Sequence, residues 1–315
     1  MFSSEIDSSA CETYYANHSE WPSGDITRIA AEDIPAHDIL CAGFPCQAFS
    51  QAGKRQGFDD PRGQMFFEIA RIVTIKRPKA FILENVPGLI SHNHGKTLQT
   101  MLRILREDLG YKVPIPEVLN AKDFGLAQSR ARIFIVGFRQ DQDVPFFAYP
   151  EPVQLAHRSC VADVLETTEV SPKYYLSDYY WKSLQRKQAH HKEKGNKFGY
   201  KIISLDGLSY TLTRKDCHKR NLIIDKRLTD FTPVTNIKGK INRLGIRRLT
   251  PREWARLQGF PESFKIVVSD TNAYYQFGNS VAIPVVEAVA KEVVCSLLGE
   301  VCLRRSVQMT LCWYF

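Results

Sequence analysis

The chain has 315 residues, 44% hydrophobic and 24% charged, enough to bury a full core and too apolar to be a disordered segment. No apolar run approaches the roughly 18–20 residues of a membrane helix, and no basic stretch leads into an apolar one at the start, so a cytoplasmic protein is expected. The eight cysteines form no C-x-x-C pair, which speaks for reduced thiols and against zinc, and the net charge of +8 suggests a polyanionic partner.

In chain order, "HDILCAGF" predicts a short strand buried on both faces and ending before Pro45. "RGQMFFEIARIVTIKRP" predicts a helix, with Phe66, Ile69, Ile72 and Val73 at helical spacing. "KAFILENV" predicts a second strand closed by Glu84 and Asn85. In "KTLQTMLRILREDLG", Leu98, Met101, Leu102, Leu105 and Leu109 predict a helix that Gly110 ends. "RARIFIVGF" predicts a further buried strand. This alternation implies an α/β fold with a parallel, doubly wound sheet, whose ligands sit at the carboxyl ends of the strands. Pro45-Cys46 and Glu84-Asn85 would then face one crevice.

After about Pro152 the rhythm is lost. From Ser171 to Thr250 there are 19 Lys and Arg against 6 Asp and Glu, a net +13 that leaves −5 for the remaining residues. A solvated loop region ordinarily mixes signs, so this segregation predicts a nucleic-acid-binding lobe. "RRLTPREWARLQGFP" predicts a helix starting at Thr250-Pro251 and stopped by Gly259, and "NSVAIPVVEAVAKEVVCSLLG" a long final helix. The expected division is 1–171 for a first domain, 172–247 for the basic lobe, 248–299 for the return to the first domain, and 300–315 for a tail that fits no pattern.

A cysteine is a nucleophile as a thiolate, which nearby positive charge or a helix N-terminus favours. Lys54, Arg55 and Arg62 follow Cys46, and a helix begins soon after. A Pro-Cys at a strand end is also ordinary packing. Glu84 adds weight to the chemical reading, because a carboxylate closing an apolar strand must be paired, protonated or exposed in a cleft, where it serves as a proton donor. Arg130 and Arg132 alternate along a strand and so point to one side; the bland alternative is two surface arginines on an edge strand.

"GFPCQ", "ENV", "QSRARIFIVGFR", "RRLTPREWARLQGFP" and "QFGNSVAIPVV", in this order, resemble the DNA cytosine-5 methyltransferases of bacterial restriction-modification systems. The likeness runs from Phe2 to Val294 outside the basic insert. It implies a Rossmann-like, S-adenosylmethionine-dependent sheet with a smaller basic target recognition domain. It also implies double-stranded DNA as substrate, monomeric action and a cognate restriction endonuclease as a functional partner. By this resemblance Cys46 adds to carbon 6 of a flipped cytosine, Glu84 protonates or hydrogen-bonds N3, Arg132 binds O2 and Arg130 supports the loop or the DNA backbone. Carbon 5 then takes the methyl group, and Cys46 is eliminated as the carbon 5 proton is lost.

The resemblance also assigns Glu5 and Ile6 to the cofactor ribose, Asp25 and Ile26 to adenine, and Pro45, Asn279 and Ser280 to the rest of the pocket. Gln47, Ser50, Gln51, Lys54 and Arg55 belong to a DNA-contacting loop. Thr211 opens a short shared signature in the basic lobe, with Arg214 and Lys215 after it. The family opens with a strand and an F-x-G-x-G turn that should precede Glu5, yet none of the eighteen glycines lies two positions from another. The expectation is therefore either a start placed too late in a longer natural chain or a truncated remnant, lacking the first strand in both cases. Its activity is then in question, and the alternative is an inactive DNA-binding remnant. Two further readings are a Cys46 amide hydrolase using His92 or His94, and tRNA methylation on the same scaffold.

Overall fold

The computed structural model describes residues 1–44, 65–144, 146–153, 159–196, 199–213 and 219–299. Pro45, Cys46, Gln47, Ser50, Gln51, Lys54, Arg55, Arg214, Lys215 and the tail 300–315 lie outside these. The chain divides into two units: Met1–Asp123, Ala131–Val153 and Ile283–Phe315 form the first, and Phe124–Arg130 and Gln154–Ala282 the second.

The first unit opens with α1 (Ser8–His18), whose first turn is capped by the Asp7 carboxylate accepting from the Ala10 amide. Then come β1 (Ile39–Gly43), α2 (Met65–Lys76), β2 (Ala80–Asn85), the short α3 (Gly88–Ser91) and α4 (Lys96–Arg103), which continues as a π-helical turn to Asp108. Gly110, at φ +71°, ends it in the left-handed conformation glycine tolerates best. β3 (Tyr111–Lys112) and β4 (Glu117–Asn120) follow, then β5 (Gln128–Ser129) in the second unit and β6 (Ala131–Arg139) back in the first.

The sheet order is β1-β2-β6-β3, with β4 also paired to β6. β1 and β2 are parallel, whereas β6 runs antiparallel to β2, β3 and β4. The wholly parallel sheet expected from the sequence is therefore corrected to a mixed one. The apolar run of β6 reports burial on both faces and carries no information about direction. Its connection does: ten residues, 121–130, separate β4 from β6, fewer than the dozen or more of a parallel crossover.

Phe81 and Leu83 of β2 and Ile133 and Ile135 of β6 pack with Phe66 and Val73 of α2 and Met101 and Leu105 of α4. Their sheet neighbours Ile82, Phe134 and Val136 are also buried, and alternation turns them to the opposite face. Gly137 stands in register with Phe81, and the aromatic ring occupies the place of a side chain: a Cβ there would lie 2.2 Å from it.

In the second unit α5 (Asp178–Glu193) is followed by β7 (Ser209–Tyr210), parallel to β5, and β8 (Leu222–Ile224), antiparallel to β9 (Ile246–Arg248). α6 (Pro251–Leu257) starts at Thr250 with a reciprocal capping box to Glu253 and is closed by Gly259 at φ +84°. α7 (Asp270–Asn279) completes the unit, and α8 (Ile283–Leu298) belongs to the first. Val161, Leu212, Ile223, Trp254, Tyr274 and Phe277 share one core. The unit is accordingly wider than the basic segment 172–247, because apolar residues on both sides of that segment supply its interior. Among the described residues, no helix is long and apolar enough to cross a membrane.

Candidate active site

β2 is fully buried from Ala80 to Leu83, and Glu84 is the first residue of the strand to reach partial exposure. Its Oε1 meets Arg132 Nε at 2.8 Å, the two side chains being 12% and 16% exposed. The reversed direction of β6 makes this contact: the N-terminal end of β6 lies against the C-terminal end of β2, where a parallel strand would have carried Arg132 to the opposite edge. Gly43 of β1 is in register with Glu84, so the end of β1 shares that edge of the sheet.

Asn85 is buried, and its Nδ2 donates to the Phe44 carbonyl at 3.4 Å while its Oδ1 accepts from the Val86 amide at 2.8 Å. It thus ties the chain leading into Pro45-Cys46 to the end of β2. The sequence displayed Asn85 in "ENV" without suggesting this duty; the available signal was an amide side chain at the close of a buried strand.

Beside β1 is a cavity of about 630 Å³, within the usual range for small-molecule pockets. Glu5, Ile6, Asp25 and Ile26 all line it, together with apolar walls that include Phe44 and Ile69. Glu5 Oε1 accepts from the amides of Ile6 and Asp7 at 2.7 Å each, which fixes the carboxylate at the start of α1. Asp25 Oδ1 accepts from the Thr27 amide at 3.0 Å and its hydroxyl at 2.8 Å. The Thr27 hydroxyl, then its amide, holds the Asp25 carboxyl below its ordinary range, so it is an acceptor at neutral pH. Among the described residues, no group of three His, Cys, Asp or Glu side chains is arranged to hold a metal ion.

Arg130 does not continue the alternation to Arg132, because it falls in the break between β5 and β6. It is 2% exposed and belongs to the second unit. There its guanidinium donates to the carbonyls of Leu212 at 2.9 Å, Ser280 at 2.6 Å and Gly278 at 3.3 Å. Thr211 donates its hydroxyl to the Ser129 carbonyl at 2.6 Å, and the Leu212 amide donates to Gln128 Oε1 at 3.0 Å. The Ser280 hydroxyl donates to the Phe277 carbonyl at 3.0 Å, while Asn279 is exposed at the end of α7.

Residues 1–295 match the family described as C-5 cytosine-specific DNA methylase. The chain belongs to that family. Among curated relatives, the methylase is 54% identical over 296 residues to Type II methyltransferase M.HpaII of Haemophilus parainfluenzae, covering 93% of this chain and 82% of that one. It is 47% identical over 292 residues to Type II methyltransferase M1.ScrFI of Lactococcus lactis subsp. cremoris, covering 93% and 71%. Its fold matches that of the S. pombe Dnmt2 methyltransferase, with a TM-score of 0.68 at 22% identity over 94% of this chain and 91% of that one. A putative DNA modification methyltransferase from an E. coli prophage gives a TM-score of 0.62 at 22% identity, covering 94% and 92%.

In this methylase two buried glutamines were missed by sequence reasoning, although both stand inside quoted motifs. Gln128 Nε2 donates to the Leu257 carbonyl at 2.9 Å and to Gln258 Oε1 at 3.1 Å, and Gln258 Nε2 donates to the Phe277 carbonyl at 2.6 Å. With Arg130 they join the "QSR", "LQGF" and "FGNS" segments through hydrogen bonds that chain order does not reveal.

Proposed function

We propose that this methylase transfers a methyl group from S-adenosylmethionine to carbon 5 of a cytosine flipped out of double-stranded DNA, through a covalent adduct to Cys46. The observation that carries the reading is the Glu84–Arg132 pair at the end of β2, level with Gly43. Three residues on from Gly43, Cys46 is within about 11 Å of it by covalent reach alone.

Carbon 5 of cytosine is too weak a nucleophile unaided. A bond from Cys46 Sγ to carbon 6, with Glu84 protonating or hydrogen-bonding N3, breaks the aromaticity and gives carbon 5 enamine character. Arg132 holds O2 and, through its 2.8 Å contact, orients the Glu84 carboxylate. When bound, S-adenosylmethionine supplies the electrophilic methyl group. Loss of the carbon 5 proton and cleavage of the sulfur–carbon 6 bond restore the ring. A base inside a duplex is out of reach of such groups, which is why flipping is part of the reading.

The cavity beside β1 fits the adenosine half of the cofactor: Asp25 is an acceptor suited to an exocyclic amine, Glu5 to ribose hydroxyls, and Ile6 and Ile26 offer apolar surface. Pro45, Asn279 and Ser280 are further cofactor residues on the resemblance; the Asn279 amide is exposed, whereas the Ser280 hydroxyl is engaged by Phe277. Segment 172–247 is the target recognition region, with Thr211, Arg214 and Lys215 toward DNA. Gln47, Ser50, Gln51, Lys54 and Arg55 are DNA-contacting residues on the resemblance. Monomeric action in the cytoplasm beside a separate cognate endonuclease completes the reading.

The test is incubation with methyl-labelled S-adenosylmethionine and duplex DNA. Label on cytosine carbon 5 that disappears in Cys46→Ser supports the proposal; label that persists in Cys46→Ser overturns the nucleophile. DNA binding with no label at all favours the binding remnant.

A further inference from the structure

α5 lies in the basic segment and has two unlike faces. Trp181 and Leu184 are buried in a small core with Leu222 and Ile246. Lys182, Arg186, Lys187, His190, Lys192 and Lys194 are all exposed. At 100° per residue, Lys182, Arg186 and His190 fall on the side directly away from that core, each about 6 Å along the axis from the last. Tyr179 lies on the same side, with the Lys238 ammonium 4.4 Å from its ring centroid, so the positive stripe begins at the N-terminal end of the helix. From Tyr179 to Lys194 it is about 22 Å long.

None of Lys182, Arg186, Lys187, Lys192 and Lys194 forms an ion pair among the described residues, although Asp178 and Glu193 belong to the same helix. An ordinary solvated helix face interleaves acids four residues from its bases; here only Lys182 has one, Asp178, and Lys182 with Arg186 is a like-charge pair at that spacing, which is mildly destabilising. The helix dipole accounts for cations in the last turn, but Lys182 and Arg186 stand before it. A polyanion laid along the stripe relieves the repulsion.

We infer that this face of α5 is a track for the phosphate backbone of duplex DNA, supplying affinity that does not depend on sequence. The assignment rests on the DNA-methylase reading and adds to it a specific surface. Base readout is left to other parts of the second unit, since lysine and arginine on phosphates fix position without reading sequence.

The test compares the full chain with its K182Q/R186Q/K187Q variant, measuring affinity for duplexes of unrelated sequence by fluorescence anisotropy between 50 and 200 mM salt. Each phosphate contact contributes about 0.9 to the slope of log affinity against log salt. The variant's slope is expected to fall by about 2 to 3, equally on every duplex. Circular dichroism checks that the exposed substitutions leave the fold intact, and K182Q or K187Q alone, each expected to lower the slope by about 1, carries the test if the triple variant does not fold. A wild type that binds with a salt-dependent affinity the variants share overturns the α5 assignment alone. A wild type with no salt-dependent DNA binding overturns the DNA reading, and this assignment with it.

Discussion

At the scale of single residues, the proposed chemistry depends on Glu84 and Arg132 meeting at 2.8 Å while each keeps a little exposure. Glu84→Gln preserves a hydrogen-bonding partner for Arg132 but cannot give up a proton to N3, so methyl transfer should fall by about 10²–10⁴-fold with thermal stability little changed. A labelled-methyl assay beside a melting curve checks both halves of that expectation. Arg130 should behave in the opposite way. Its guanidinium serves three buried carbonyls, and Arg130→Met leaves them without it at about 1–3 kcal/mol apiece. Arg130→Lys should restore little, because a single ammonium cannot span the fork; urea unfolding separates the two variants from wild type. Glu84 was legible in the sequence, since a carboxylate at the end of a buried apolar run stands out. The duty of Arg130 was not, because the strand break at that residue leaves no mark in the pattern of side chains.

At the scale of elements, the helices of the first unit follow from periodicity: α2 buries Phe66, Ile69, Ile72 and Val73 as their spacing requires, whereas α4 buries Met101 together with Thr97 and leaves Leu98 and Leu102 half-buried. The direction of β6 was hidden for a physical reason: a strand covered on both faces shows the same apolar run either way round. Gly137 belongs to this strand, and Gly137→Val would drive a branched side chain into the Phe81 ring, costing about 1–3 kcal/mol in urea unfolding. β9 holds a buried charge network in the second unit. Arg247, 0% exposed, donates to Glu253 with two nitrogens at 2.8 Å and to Asp225 with a third at 2.8 Å. Arg247→Ala should cost about 3–5 kcal/mol by leaving the buried Glu253 carboxylate without its cation and Asp225 with Arg227 alone. Burial alone would push Asp225 up; hydrogen bonds from Arg227 and Arg247 outweigh it and hold the carboxyl far below its ordinary range. A depressed folded value stabilises fully above the unfolded value near 4 and is lost as pH falls through the folded one. Denaturant midpoints should therefore drop below about pH 4 in wild type, with a smaller drop in Asp225→Asn.

At the scale of the whole molecule, the order of motifs along the chain announced the family, but it concealed that the chain passes between its two units at 123–124, 130–131, 153–154 and 282–283. Charge outlined only the basic part of the second unit. Its apolar core draws on Val161, Trp254 and Tyr274, outside that part, because burial is decided by partners distant in sequence. The central claim is that this methylase attacks cytosine through Cys46. The most direct measurement uses duplex DNA carrying 5-fluorocytosine, from which the carbon 5 substituent cannot leave as a cation, so that a sulfur–carbon 6 adduct persists after methylation. The account predicts a denaturation-resistant protein–DNA complex, dependent on S-adenosylmethionine, whose modified peptide contains Cys46. A protein that methylates unsubstituted duplex yet forms no such complex, or forms it through another residue, would contradict the account.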